Sequence, residues 1–209
     1  MKIDYSLVTD PYKEMIRNGI ELTEKSIKNN NDFIEYTEEG KRKFERTGDV
    51  RALFSFIDNH KKMAFVVDNH AQLKKMEIFE KALLEAYVST NGNNFNISSE
   101  VINLLFATAD KQKLFYIGNP LPEDKNIYKL YRGVSGNGSA RRKYGISWTG
   151  SLDKAIWFAK RYGFEKPIVY QAQVPKENIY AYDNDRNEDE YLCDIPRSLK
   201  LREIWRQTP

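Results

Sequence analysis

Three short stretches hold residues able to do chemistry together. The first is "YKLYRGV", residues 128–134, where Arg132 shares one side of an alternating run with Tyr128 and Leu130. A guanidinium on a largely apolar strand calls for an anionic partner, because an unpaired buried charge is costly. A carboxylate satisfies it, as does a phosphate, which its planar fork fits bidentately. A salt-bridged arginine at the rim of a strand meets the same need. Gly133, next in the chain, permits close backbone approach.

The second stretch is "GISWTG", residues 145–150. Alternation sends Ser147 and Thr149 to one face and Trp148 to the other. Neutral hydroxyls can hold a ribose or orient a carboxylate, and Thr149 can equally cap the helix that follows. No histidine lies nearby to act as base for a serine nucleophile, and the spacing is not that of a nucleophile elbow. The third stretch is "NEDEYLCDI", residues 187–195. In an extended chain Glu188 and Glu190 point the same way, roughly 7 Å apart. Like charges so placed raise the pKa of one member. Such a pair suits glycosidic bond cleavage, in which two acids flank the bond, or it is a solvated acidic loop.

Other signatures are missing. There is no phosphate-binding G-x-x-x-x-G-K-[ST] loop, and "GNGSARRKYG" is not a dinucleotide-binding glycine fingerprint. That stretch reads as a loop carrying Arg141, Arg142 and Lys143, placed between the arginine strand and the hydroxyl pair, where it can border a ligand cleft.

The surrounding pattern defines what must position these residues. From about Asp10 to Leu114 the periodicity is mostly helical. Asp10 and Pro11 form a start signal before Tyr12, Met15, Ile16, Ile20 and Leu22. Leu73, Met76, Phe79, Leu83 and Leu84 recur at helical intervals, and Ser98 or Ser99 opens another run. Pro120 and Pro122 then break the pattern. Beyond them "NIYKLYRGV", "KPIVYQAQV", "NIYAY" and "EYLCDI" read as short strands. One helix lies among them: Leu152, Ala155, Ile156 and Ala159 share a stripe, with Ser151 as cap and Gly163 as stop. The expected class is α+β, with a helical region over 1–115 and a β-rich core over 116–209.

Composition sets wider bounds. Of 209 residues, 41% are hydrophobic and 30% charged, which fits a globular chain. The start has no signal-peptide pattern, and no apolar run reaches membrane-spanning length. One cysteine, Cys193, excludes an internal disulfide, and with only two histidines a protein-held metal is not expected. A reducing compartment, the cytoplasm, follows as the expectation. Net charge is +3, but residues 127–209 carry 15 Lys/Arg against 10 Asp/Glu, an excess suited to an anionic ligand.

Taken in order, these pieces resemble the mono-ADP-ribosyltransferase family of the Arg–Ser–Glu class, in particular its bacterial and phage-encoded branches. "YRG" at Tyr131–Gly133, "SWT" at Ser147–Thr149, "AIWFA" at Ala155–Ala159 and "EDE" at Glu188–Glu190 stand where that family has its arginine, Ser-Thr-Ser, helix and Glu-x-Glu motifs. Trp148 and Thr149 depart from the small residue and final serine of the motif, Thr149 keeping the hydroxyl. The resemblance covers about 111–195.

It implies a split antiparallel β core of two small sheets around an NAD cleft, with no metal. Tyr131, Arg132, Gly133, Ser147, Trp148 and Thr149 would bind NAD, Arg132 through a phosphate or ribose. Ser147 would orient Glu190, which would stabilise positive charge on the sugar as nicotinamide leaves, and Glu188 would activate the acceptor. A glutamate at 188 points to arginine as the modified residue. The implied role is a toxin, effector or phage–host conflict enzyme acting on a macromolecule, with protein favoured over nucleic acid, and with a neutralising partner in such systems. Nucleic-acid ADP-ribosylation, NAD hydrolysis and an inert binding module with a helical partner surface are the alternatives.

Overall fold

The computed structural model describes residues 2–8, 17–19, 21, 23–90, 97–137 and 142–207. The expected helix start at Asp10 and Pro11, its stripe from Tyr12 to Leu22, and Arg141 lie outside these residues. The described chain is mixed helix and antiparallel sheet, with eight α-helices and six strands. It forms two compact units, Met1–Ser98 and Ser99–Pro209.

The first unit is helical. Its long helix α1 (Glu24–Thr47) starts at Thr23, whose hydroxyl accepts from the Ser26 N–H. It ends where Gly48 adopts a left-handed φ of 67° and donates to the Phe44 carbonyl. Four shorter helices follow: α2 (Val50–Phe54), α3 (Lys62–Asp68), α4 (His70–Lys75) and α5 (Phe79–Ser89). α5 packs against α2, α3 and α4. Leu73, Phe79, Leu83 and Leu84 are buried, as their spacing predicts, while Met76 is only half-buried.

The second unit begins earlier than the expected 116, because α6 (Ser99–Thr108) and α7 (Lys111–Ile117) belong with the strands. The physical reason lies at strand β4 (Ile179–Asp183): Phe106 packs on Tyr180 with centroids 5.5 Å apart, and the Asn119 N–H donates to the Tyr182 carbonyl. The other strands are β1 (Ile127–Val134), β2 (Ser147–Thr149), β3 (Ile168–Pro175), β5 (Glu190–Cys193) and β6 (Arg202–Arg206). All pair antiparallel, in the order β4-β5-β2-β1-β3-β6. The two small sheets expected are thus one six-stranded sheet, but β1 and β2 share a single register pair, Tyr131↔Thr149. The sheet narrows at the point where the chemistry-bearing strands meet.

Helix α8 (Leu152–Lys160) is capped by Ser151, whose hydroxyl accepts from the Lys154 N–H. It lies on β1 with Ala155 and Ala159 fully buried beside Tyr131 and Val169. Gly133 makes this approach possible, since a Cβ there would run into the Ala155 carbonyl and sit 2.7 Å from the Ala159 nitrogen. Both obstacles are backbone, so Gly133→Ala is expected to destabilise the second unit by about 1–3 kcal/mol. Chemical denaturation of the whole chain checks it. On the other face Tyr128, Leu130, Trp148, Tyr182 and Tyr191 form the core. No helix among the described residues is long and apolar enough to cross a membrane.

Candidate active site

The site is built where β1, β2 and β5 adjoin. β2 is central: Thr149 faces Tyr131 on one side and Glu190 on the other, and Ser147 faces Leu192. Paired residues in an antiparallel ladder project to one face, so Ser147, Thr149 and Glu190 emerge together. The Ser147 hydroxyl is close enough to the Glu190 carboxylate to favour its ionised form. From β1, Arg132 donates through Nη1 to the Ser147 carbonyl and through Nε to the Arg142 carbonyl at 3.0 Å. Alternation puts Arg132 on the side of Leu130 and Trp148, so it meets Ser147 through the backbone. Gly145 lies against the guanidinium, so a side chain there would displace the Arg132 head group. Ser147 is therefore held at its carbonyl by a cation, with a carboxylate near its hydroxyl.

Glu190 is 7% exposed. Burial pushes its carboxyl pKa upward, reinforced by the nearby charges of Glu188 and Asp183; the Ser147 hydroxyl and Arg186 act in the opposite direction. Arg186 is the residue that sequence reasoning passed over. Its Nη2 lies 2.7 Å from Glu188 Oε2 and 3.4 Å from Glu190 Oε2, so one guanidinium bridges both carboxylates. The signal was available in the run "RNEDE", with a cation two and four residues ahead of the two acids.

Of the two expected settings, strand or leading loop, Glu188 takes the loop and Glu190 the strand. β5 starts at Glu190, and the loop before it turns through two left-handed residues, Asn187 at φ 55° and Asp189 at φ 52°. Asn and Asp tolerate that region better than most residues. The loop is tied down on several sides. Asp189 donates its N–H to Asn184 Oδ1 at 2.9 Å and accepts from the Tyr182 hydroxyl at 2.9 Å; its carbonyl accepts from the Gly150 N–H. Burial, followed by that bond to Asp189, pushes the Tyr182 phenol pKa up to about 12, so it remains a donor at neutral pH.

Thr149 serves the same loop. Its hydroxyl donates to the Glu188 carbonyl at 3.0 Å and accepts from the Ser151 N–H at 3.2 Å, while Ser151 caps α8. At 3% exposure it is buried and holds the Glu188 backbone. Trp148 is likewise a core residue: it is 2% exposed, with its indole N–H donating to the Gly145 carbonyl at 2.8 Å. Tyr131 is 8% exposed and packs under α8, and Gly133 serves that same contact. Arg132, Gly133, Ser147 and Glu188 are the half-buried members of the expected set.

The arrangement offers an anionic group in a partly dry setting, beside a hydroxyl and the Arg186 guanidinium, with Arg132 fixing the backbone of Ser147. It contains no nucleophile–base pair of the hydrolase type. The chain matches no model of a known family, no curated protein and no solved structure.

Proposed function

We propose that the chain is an NAD-dependent mono-ADP-ribosyltransferase, transferring ADP-ribose from NAD to a macromolecular acceptor, with protein favoured over nucleic acid. The observation that carries this reading is the meeting of three segments distant in sequence at Ser147: Arg132 bonds its carbonyl, and Glu190, on the adjoining strand, lies beside its hydroxyl. Breaking the nicotinamide–ribose bond builds positive charge on the sugar. A fixed carboxylate beside that carbon stabilises it without a strong nucleophile or a metal. Ser147 keeps Glu190 aimed; Arg132 holds the Ser147 backbone in place and is the group proposed to meet a phosphate or ribose of the dinucleotide. Glu188, held by Thr149, stands beside Glu190 as the group to receive a proton from an acceptor. The order of motifs along the chain and the α+β architecture support the same reading, and the narrow β1–β2 junction is where the NAD cleft is proposed to lie.

Glu190 must be ionised to do this work. Since burial raises its pKa, the acid limb of kcat/KM is expected to lie above the ordinary glutamate value of 4.5, with activity rising as the proton leaves. A pH–rate profile of nicotinamide release checks it, and a limb at or below that value would contradict the role of Glu190.

The acceptor is found by incubating the chain with labelled NAD and total lysate, then treating the product with protease or nuclease. Protease-sensitive label supports a protein acceptor, and nuclease-sensitive label moves the acceptor to nucleic acid. Free ADP-ribose with no labelled macromolecule makes the chain an NAD glycohydrolase. Absence of nicotinamide release leaves an inert binding module.

A further inference from the structure

We propose that Arg186 is the chain's own acceptor, modified in cis by the site it closes. This rests on the transferase reading. An arginine acceptor requires a guanidinium held by a proton-accepting carboxylate, next to the carbon being attacked. Arg186 already satisfies the first condition: its Nη2 is 2.7 Å from Glu188 and 3.4 Å from Glu190. The inequality matters, because the closer carboxylate is the one assigned to the acceptor, leaving Glu190 to the sugar with Ser147. The side chain is 33% exposed, so a nucleotide can reach it.

The backbone holds Arg186 near these acids. Asn187 donates its N–H to the Asn184 carbonyl at 2.8 Å, and Asn184 in turn donates to Asn119 Oδ1 at 2.6 Å. A nucleophile so confined has the advantage of an intramolecular reactant over an acceptor arriving from solution. In the step, the bond between ribose C1′ and the nicotinamide nitrogen breaks, its electron pair leaving with nicotinamide. A bond forms from the Arg186 nitrogen to C1′, and the displaced N–H proton passes to Glu188 and then to water. NAD is the only co-reactant, and nothing is oxidised or reduced.

The test uses the purified full chain with NAD alone, following nicotinamide release and mapping ADP-ribose by peptide mass spectrometry. The expected result is label on Arg186 with a first-order rate independent of protein concentration. Arg186→Lys, which keeps the charge but removes the guanidine, is expected to lose label from that peptide. Nicotinamide release by the wild type with Arg186 unmodified overturns this inference and leaves the transferase reading standing. Labelling at Arg186 that accelerates with protein concentration also overturns it, because the transfer is then between molecules. No nicotinamide release at all removes both.

Discussion

Glu190→Gln is expected to slow nicotinamide release by roughly 100- to 1,000-fold while leaving the fold intact and raising its thermal midpoint at neutral pH. The rate loss follows from removing a fixed negative charge beside a carbon that becomes positive. The stability gain follows from the sign of the pKa shift. A carboxyl whose pKa is raised by folding contributes stability below its unfolded value, and that contribution is lost as pH rises through the folded value. At neutral pH an ionised Glu190 therefore strains the fold, and a neutral amide of the same shape relieves it. The substitution orphans little: Ser147 can donate to the amide oxygen, and Arg186 keeps Glu188 at 2.7 Å. Kinetics and a thermal melt on the same preparation separate the effects. An inactive variant that also melts earlier would mark Glu190 as a structural residue.

Trp148→Ala is expected to remove about 3–5 kcal/mol of stability, the range for truncating a large aromatic side chain in a core. The indole is among the largest fully enclosed side chains, packed with Tyr128, Leu130 and Tyr191, and its loss also leaves the Gly145 carbonyl without its donor. Gly145 lies against Arg132, so the damage reaches the site. Trp148→Phe keeps most of the apolar area and is expected to lose only about 1–2 kcal/mol, chiefly the hydrogen bond. The denaturation midpoint measured with each variant decides the matter. A raised KM for NAD with an unchanged midpoint would instead return Trp148 to the ligand.

How much of this could be read beforehand depends on whether the cause was local. The change of period after Pro120 announced helix followed by strand, and alternation around Trp148 sent the hydroxyls and the indole to opposite faces, as found. Ser151 and the alanine stripe marked α8 because capping and periodicity act within a few residues. Burial was legible only as a face, so Trp148 and Thr149 were expected at a ligand although their partners, Gly145 and the Glu188 carbonyl, fully engage them. Strand β6 was not foreseen: its charged, half-exposed residues blur the alternation, as befits an edge strand. The unit boundary at Ser98 was also hidden, because α6 and α7 join the strands through contacts such as Phe106 with Tyr180, across more than seventy residues. Arg186 was missed for a different reason. Within an acidic run it read as one more solvated charge, and only the two left-handed turns at Asn187 and Asp189 fold it back onto the glutamates.

The central claim is that Arg132, Ser147 and Glu190 together form a device for opening the nicotinamide–ribose bond. The most direct measurement is nicotinamide release from NAD by the purified chain, set beside Ser147→Ala and Glu190→Gln, each shown by a thermal melt to be folded at the assay temperature. Turnover by the wild type that collapses in both variants is the predicted result. Equal release by all three, or release no faster than NAD decay in buffer, would contradict the assignment.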